Sequence, residues 1–366
     1  MKEETMLTYV REVPGTICAN VERAEALTDA LVNAYLDGGY ENIWIVASGS
    51  SSNASWCARP FMRKILGREV KVVNPFTFVH NEHDLGKKDF IFVVSQSGYS
   101  TNAIEALDTL RKLGKKSIGL TGNIESDMKE HCDMIIDYGV GEEKVGYVTK
   151  GVVTFTLFLM LFALRVARKQ ECLSEAAYMK WLTDMKRIAP AHEKLQAQTE
   201  RFYKNHKMLL TAMQNVYVCG SGAGYGIALE GALKIGETVL VPSFAYETEE
   251  YIHGPNLQLT PNYTIFMCDC GGSGSDKTVH IYRANRVVTE RAFLLSPQEL
   301  RDDDHAIQLD ASVPELLMPL LQLAFFQMIA YYVTEDLNRW KKHPLAKEFM
   351  NIATSKTSNY VFLDEM

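Results

Sequence analysis

The stretch Asn42 to Gly49 reads NIWIVASG, and 173 residues later Asn215 to Gly222 reads NVYVCGSG. Both are short runs of β-branched, aromatic and small apolar residues closed by Ser and Gly, the pattern of a strand buried on both faces. At the same offset Phe90 to Gly98 (FIFVVSQSG) falls on Tyr263 to Gly271 (YTIFMCDCG) without a gap, and His80 falls on His253. A register that holds for more than fifty residues points to an internal duplication.

Helical stretches alternate with these runs: Ala24 to Leu36 precedes the first, Asn53 to Leu66 follows it, and Asn102 to Leu113 follows the run ending near Ser95. Lys116 to Thr121 reads as a further strand. The expected fold class is therefore α/β, with two doubly wound parallel-sheet domains of flavodoxin-like kind related by duplication. Their expected extents are residues 1–168, with a leading helix, and 208–345. A charged helical connector over 169–207 and a polar tail over 346–366 complete the division.

A chain of 366 residues accommodates two such cores, and 47% hydrophobic with 23% charged residues is a globular composition. The net charge of -7 provides no global field for nucleic acid or an anionic membrane, so any anion must be held locally. Seven scattered cysteines argue for a reducing compartment. The N-terminal residues lack the apolar stretch of a signal peptide, so the expected address is cytoplasmic. Val152 to Leu164 is too short to span a bilayer and reads as a buried helix, and Val313 to Val333 reads as a core or interface helix.

Two turns at the carboxyl ends of successive strands are dense in small hydroxyl residues: Ser48 to Asn53, and Ser95 to Thr101. Helix N-termini offer outward N–H groups and a positive dipole end, so serines placed there suit a phosphate. One such loop would only be a helix cap; two at successive strand ends favour an anion site. Neither loop contains Lys or Arg, so binding by oriented dipoles is expected. In the gapless overlay the second copy offers Cys268-Asp269-Cys270 in place of Ser95-Gln96-Ser97, and its carboxylate would repel phosphate. The glycine run from Gly220 to Gly226 misses the dinucleotide-binding spacing. No cofactor and no metal are expected.

Ala228 to Leu240 reads as a helix carrying Glu230, Lys234 and Glu237. Lys234 and Glu237 are neighbours on one face, and by themselves would be a solvated ion pair. His253-Gly254-Pro255 follows at a turn. Carbonyl chemistry on a sugar needs a carboxylate to take a proton beside the carbonyl and an imidazole to open the ring, parts that Glu237 and His253 can supply.

Ser95-Gln96-Ser97-Gly98, the Glu142 to Lys150 stretch, the Ala-Leu-Lys-x-x-Glu helix ending at Glu237, and His253-Gly254-Pro255 together resemble the sugar isomerase (SIS) domain family in its tandem form. The resemblance is to the isomerase half of glutamine:fructose-6-phosphate aminotransferases and to fructosamine-6-phosphate deglycases. It implies that Ser50, Ser51, Ser95, Gln96, Ser97 and Ser100 hold the sugar phosphate. It further implies that Glu237 transfers the proton with Lys234 as helper, and that His253 opens the ring within a homodimer that shares active sites. Tyr99 and Val148 depart from the aminotransferase pattern, and Lys347 and Lys356 both stand as partners for the family's C-terminal lysine. No glutaminase domain or N-terminal cysteine nucleophile precedes the chain, so glutamine-dependent synthesis is not expected. The expected function is a deglycase or deaminase acting on a 6-phosphorylated amino sugar or fructosamine, with aldose-ketose isomerase and non-catalytic phosphosugar sensor as the alternatives.

Overall fold

The computed structural model describes residues 4–362. In chain order the helices are α1 (Met6–Glu22), α2 (Ala24–Asp37), α3 (Gly49–Leu66), α4 (Pro75–His80), α5 (Thr101–Lys112), α6 (Lys150–Lys169) and α7 (Glu175–Lys186). They continue with α8 (Ile188–Thr211), α9 (Ala223–Thr238), α10 (Thr248–Tyr251), α11 (Ser275–Val288), α12 (Pro319–Leu337) and α13 (Ala346–Ile352). The strands are β1 (Asn42–Ala47), β2 (Glu69–Val73), β3 (Asp89–Val94), β4 (Ile118–Thr121) and β5 (Met134–Asp137), then β6 (Asn215–Gly220), β7 (Ser243–Tyr246), β8 (Tyr263–Cys268), β9 (Ala292–Ser296) and β10 (Ala306–Gln308).

The chain divides into two compact units. Among the described residues, the N-sheet unit gathers Cys18–Ser55, Phe61–Leu182 and residues 341–362; the C-sheet unit gathers residues 4–17, Trp56–Pro60 and Thr183–Trp340. Each contains one five-stranded parallel sheet, in the orders β2-β1-β3-β4-β5 and β7-β6-β8-β9-β10. The two orders are the same, as duplication requires, and the doubly wound α/β class expected from the sequence is what the chain adopts.

In the N-sheet unit the central strands bury Val46, Ile91 and Val93 against Phe78, Ala106, Leu107 and Leu110. α6 is long and apolar enough to cross a membrane by length and composition, yet its whole apolar window is buried inside the fold. It is a core helix, as its apolar run implied. In the C-sheet unit α12 is likewise a core helix, with Pro319 at its first position, where no N–H partner is needed.

Three details depart from the sequence reading. α3 begins at Gly49, so Ser50 and Ser51 form its first turn instead of a loop before it. α9 begins at Ala223, so the glycine run opens the helix. A Cβ on Gly226 would lie 2.3 Å from the backbone nitrogen of Cys57, so the glycine there permits close backbone packing.

The third is a slip in the repeat. Asn42 pairs with Asp89 across β1 and β3, whereas Asn215 pairs with Tyr263 across β6 and β8. The structural counterpart of Ser95 is therefore Asp269, not Cys268, and Gly98 (φ 73°) matches Gly272 (φ 80°).

Candidate functional site

In the N-sheet unit strand order reverses between β1 and β3, because β2 lies on one side of β1 and β3 on the other. Loops leaving the carboxyl ends of strands at such a point form a crevice. Here β1 runs into α3 and β3 into α5, so two helix N-termini meet one cleft of about 670 Å³. Ser50, Ser51, Ser95, Gln96, Ser97 and Ser100 all line it. Every serine and glutamine that the sequence suggested as a phosphate ligand is thus brought together.

The loop after β3 is held by its own side chains. Ser95 Oγ donates to Ser100 Oγ at 3.0 Å and accepts from the Gly98 N–H at 3.1 Å. Ser97 Oγ accepts from the Tyr99 N–H at 3.3 Å. Asn102 Nδ2 reaches across to Ser48 Oγ at 2.9 Å, linking the two helix starts.

The loops lack a cation of their own, and the tail supplies one. Lys356 forms an antiparallel bridge with Ser100, flanked by Thr101 N–H to Ser355 O and Thr357 N–H to Tyr99 O. Its ammonium donates to Ser97 Oγ at 2.8 Å and to Ser100 Oγ at 3.1 Å. Burial lowers its pKa from the ordinary lysine value. Lys347 is exposed on α13. The expectation of an anion site built from dipoles alone is corrected: a lysine from the far end of the sequence stands in it.

Gln96 is anchored from the other side. Glu143 accepts from Gln96 Nε2 at 2.6 Å and from the backbone N–H groups of Thr149, Lys150 and Gly151 at 2.9, 2.5 and 3.2 Å. Burial raises its pKa, opposed by these four donors. Sequence alone marks the stretch from Glu142 to Lys150 but gives Glu143 no partner, because its four donors come together only on folding.

In the C-sheet unit α9 brings together Glu230, Lys234 and Glu237. Lys234 Nζ lies 2.5 Å from Glu237 Oε1 and 3.3 Å from Glu230 Oε1, with side-chain exposures of 1% for Lys234, 0% for Glu230 and 31% for Glu237. This is not the solvated pair that spacing alone suggested. Burial disfavours the ammonium, but the Glu237 and Glu230 carboxylates outweigh it and hold the lysine pKa above its ordinary value. Lys234 holds Glu237, whose carboxylate is the partly exposed member of the group. His253 stands on the turn after α10, exposed, with Nε2 4.0 Å from Glu249 Oε1.

The counterpart of the serine loop in this unit is closed by its own carboxylate. Asp269, 2% exposed, accepts from the Gly271 N–H at 2.8 Å, Ser275 Oγ at 2.5 Å and Ser296 Oγ at 2.6 Å. The donors that would face an anion are already satisfied by one. One group among the described residues has metal-ligand atoms close together: His206, Asp304 and His305, within 4.8 Å of one another. Arg286 Nη1 lies 3.0 Å from His305 Nδ1, so a guanidinium already occupies that nitrogen.

Residues 40–165 match the SIS domain. That segment carries an SIS domain. The chain is similar to glutamine--fructose-6-phosphate aminotransferase [isomerizing] of Staphylococcus epidermidis, 26% identical over 93% of the chain and 57% of the relative, and to that of Clostridium tetani, 24% identical over 80% and 48%. The chain thus spans about half the length of these curated relatives. Among solved structures it superposes on the C-terminal domain of glucosamine-fructose-6-phosphate aminotransferase from Francisella tularensis (TM-score 0.79, 21% identity, 91% and 96% of the two chains). A structure from Clostridium difficile 630 with a provisional phosphosugar isomerase designation gives a TM-score of 0.88 at 23% identity, covering 98% and 100%. These likenesses establish the fold that the SIS domain adopts here.

Proposed function

We propose that this SIS-domain protein is an enzyme that processes a sugar 6-phosphate, acting as a deglycase or deaminase on a 6-phosphorylated fructosamine or amino sugar. The observation that carries the reading is the cleft into which two helix N-termini, a set of serine hydroxyls and the Lys356 ammonium converge. Oriented N–H groups, small donors and one cation are what a phosphate monoester needs, and little else needs them together. The relatives named as fructose-6-phosphate aminotransferases agree with a phosphosugar ligand.

In this reading Ser50, Ser51, Ser95, Gln96, Ser97, Ser100 and Lys356 hold the phosphate. His253 transfers protons to open the sugar ring. Glu237, held by Lys234, takes a proton from the nitrogen-bearing carbon beside the carbonyl of a fructosamine 6-phosphate. The enaminol regains that proton at the neighbouring carbon, and water then releases the amine and glucose 6-phosphate. The same base would interconvert aldose and ketose, and the isomerase designation among the neighbouring structures keeps that as the second reading. A homodimer with shared sites belongs to the proposal.

Incubating fructosamine 6-phosphates and glucosamine 6-phosphate with wild type and Glu237→Gln, and assaying released glucose or fructose 6-phosphate, tests it. Wild type should turn over one of them, and the variant should lose ~10²–10⁴-fold in rate while still binding. Binding without turnover here but with interconversion of glucose and fructose 6-phosphate would favour the isomerase reading, and binding with neither would make the chain a sensor.

A further inference from the structure

Glu143 sits at the start of α6 without belonging to it. The capping residue Thr149 makes no side-chain cap of its own, and the Glu143 carboxylate accepts from Thr149, Lys150 and Gly151 instead. Its second oxygen also accepts from Gln96 Nε2. A carboxylate only accepts, so the Gln96 amide cannot turn its oxygen toward Glu143 without placing two acceptors together. The other end of the amide is equally constrained. A Cβ on Gly151 would lie 1.9 Å from Gln96 Oε1, so only a glycine leaves room for the amide in this place.

We propose that Glu143 is a positioning residue for the sugar-phosphate cleft: it fixes the polarity of the Gln96 amide, so that a ligand always meets the same remaining amide hydrogen and carbonyl oxygen. An unanchored glutamine would present both orientations and lose part of its binding free energy in being ordered by the ligand. The inference rests on the function proposed above, since it assumes that a ligand enters this cleft. It adds that the α6 cap and the ligand site are one hydrogen-bonded assembly, so α6, a core helix, serves the site through its first turn.

Two substitutions separate positioning from simple stabilisation. Glu143→Gln is isosteric; with its oxygen kept for the Thr149 and Lys150 N–H groups, its amide nitrogen faces both Gln96 Nε2 and the Gly151 N–H, and the Gln96 anchor is lost. Gly151→Ala leaves Glu143 and its cap untouched and drives the Gln96 amide from its place. Affinity for fructose 6-phosphate, measured by calorimetry, should fall at least tenfold in each variant. In a Gln96→Ala background neither change should weaken binding further. Unchanged affinity in Glu143→Gln, or an equal loss in both backgrounds, would overturn the inference, because Glu143 would then act on the fold alone. If wild type binds no sugar phosphate, the proposed function fails. The anchoring is then decided separately by the Gln96 side-chain amide resonance in nitrogen-15 spectra. A hydrogen-bonded shift abolished by Glu143→Gln supports the anchor, and a resonance indifferent to the substitution removes it.

Discussion

Lys356 supplies the charge that the serine loops do not have, and it comes from 256 residues beyond Ser100. The serines were legible in the sequence because their chemistry is local: hydroxyls and glycine at a strand end speak for a helix start and an anion together. Lys356 was legible only as one of two candidates beside Lys347, because one lysine in a polar tail resembles another until the chain folds. Lys234 shows the opposite error, where helical spacing alone gave a surface ion pair and burial made it a charged group enclosed by two carboxylates. The lowered pKa of Lys356 has a measurable consequence. Its ammonium is the protonated, anion-binding form, so phosphate affinity should fall as pH rises through a value below that of an ordinary lysine. Titrations from pH 7 to 10 should show this weakening in wild type and a flat, weaker profile in Lys356→Met.

At the scale of elements, β1, β3, β4, β6 and β8 were readable as continuous apolar runs while β2, β5, β7, β9 and β10 went unread, so buried parallel strands were only partly legible. Helix starts were less so. The first turn of α3 is made of serines that also read as loop, and that of α9 is made of glycines whose purpose is close packing against another backbone. α8 carries a feature that no periodicity reveals. His192 is fully buried, its Nδ1 meets Gln196 Nε2 at 2.9 Å, and burial lowers its pKa to about 4. The unfolded chain takes up this proton near pH 6.5, while the folded chain resists until about pH 4. Stability present above pH 6.5 is therefore lost as pH falls through that window, by up to about 3 kcal/mol. Thermal melts at pH 7 and pH 4.5 should show a smaller drop in melting temperature for His192→Gln than for wild type; equal drops would mean that other groups carry the acid sensitivity.

At the scale of the whole molecule, one fold occurs twice with one strand order, and the copies have diverged at the same structural position. Ser95 opens toward a cleft, while Asp269 satisfies its own loop with an internal anion. Duplication was readable from the sequence because strand spacing survived, but the one-residue slip at β8 was not, since only sheet pairing reveals which residue follows the strand. In the proposed function the first copy binds the phosphate ester and the second supplies Glu237. Everything chemical in that account depends on the ester being gripped by the serine loop. The most direct measurement compares calorimetric binding of fructose 6-phosphate and of fructose by wild type and by the Ser97→Ala/Ser100→Ala double variant. Wild type should bind the phosphorylated sugar at least a hundredfold more tightly than the free sugar, and the double variant should lose at least tenfold of that preference; equal binding of the two sugars, or a preference untouched by the substitutions, would contradict the account.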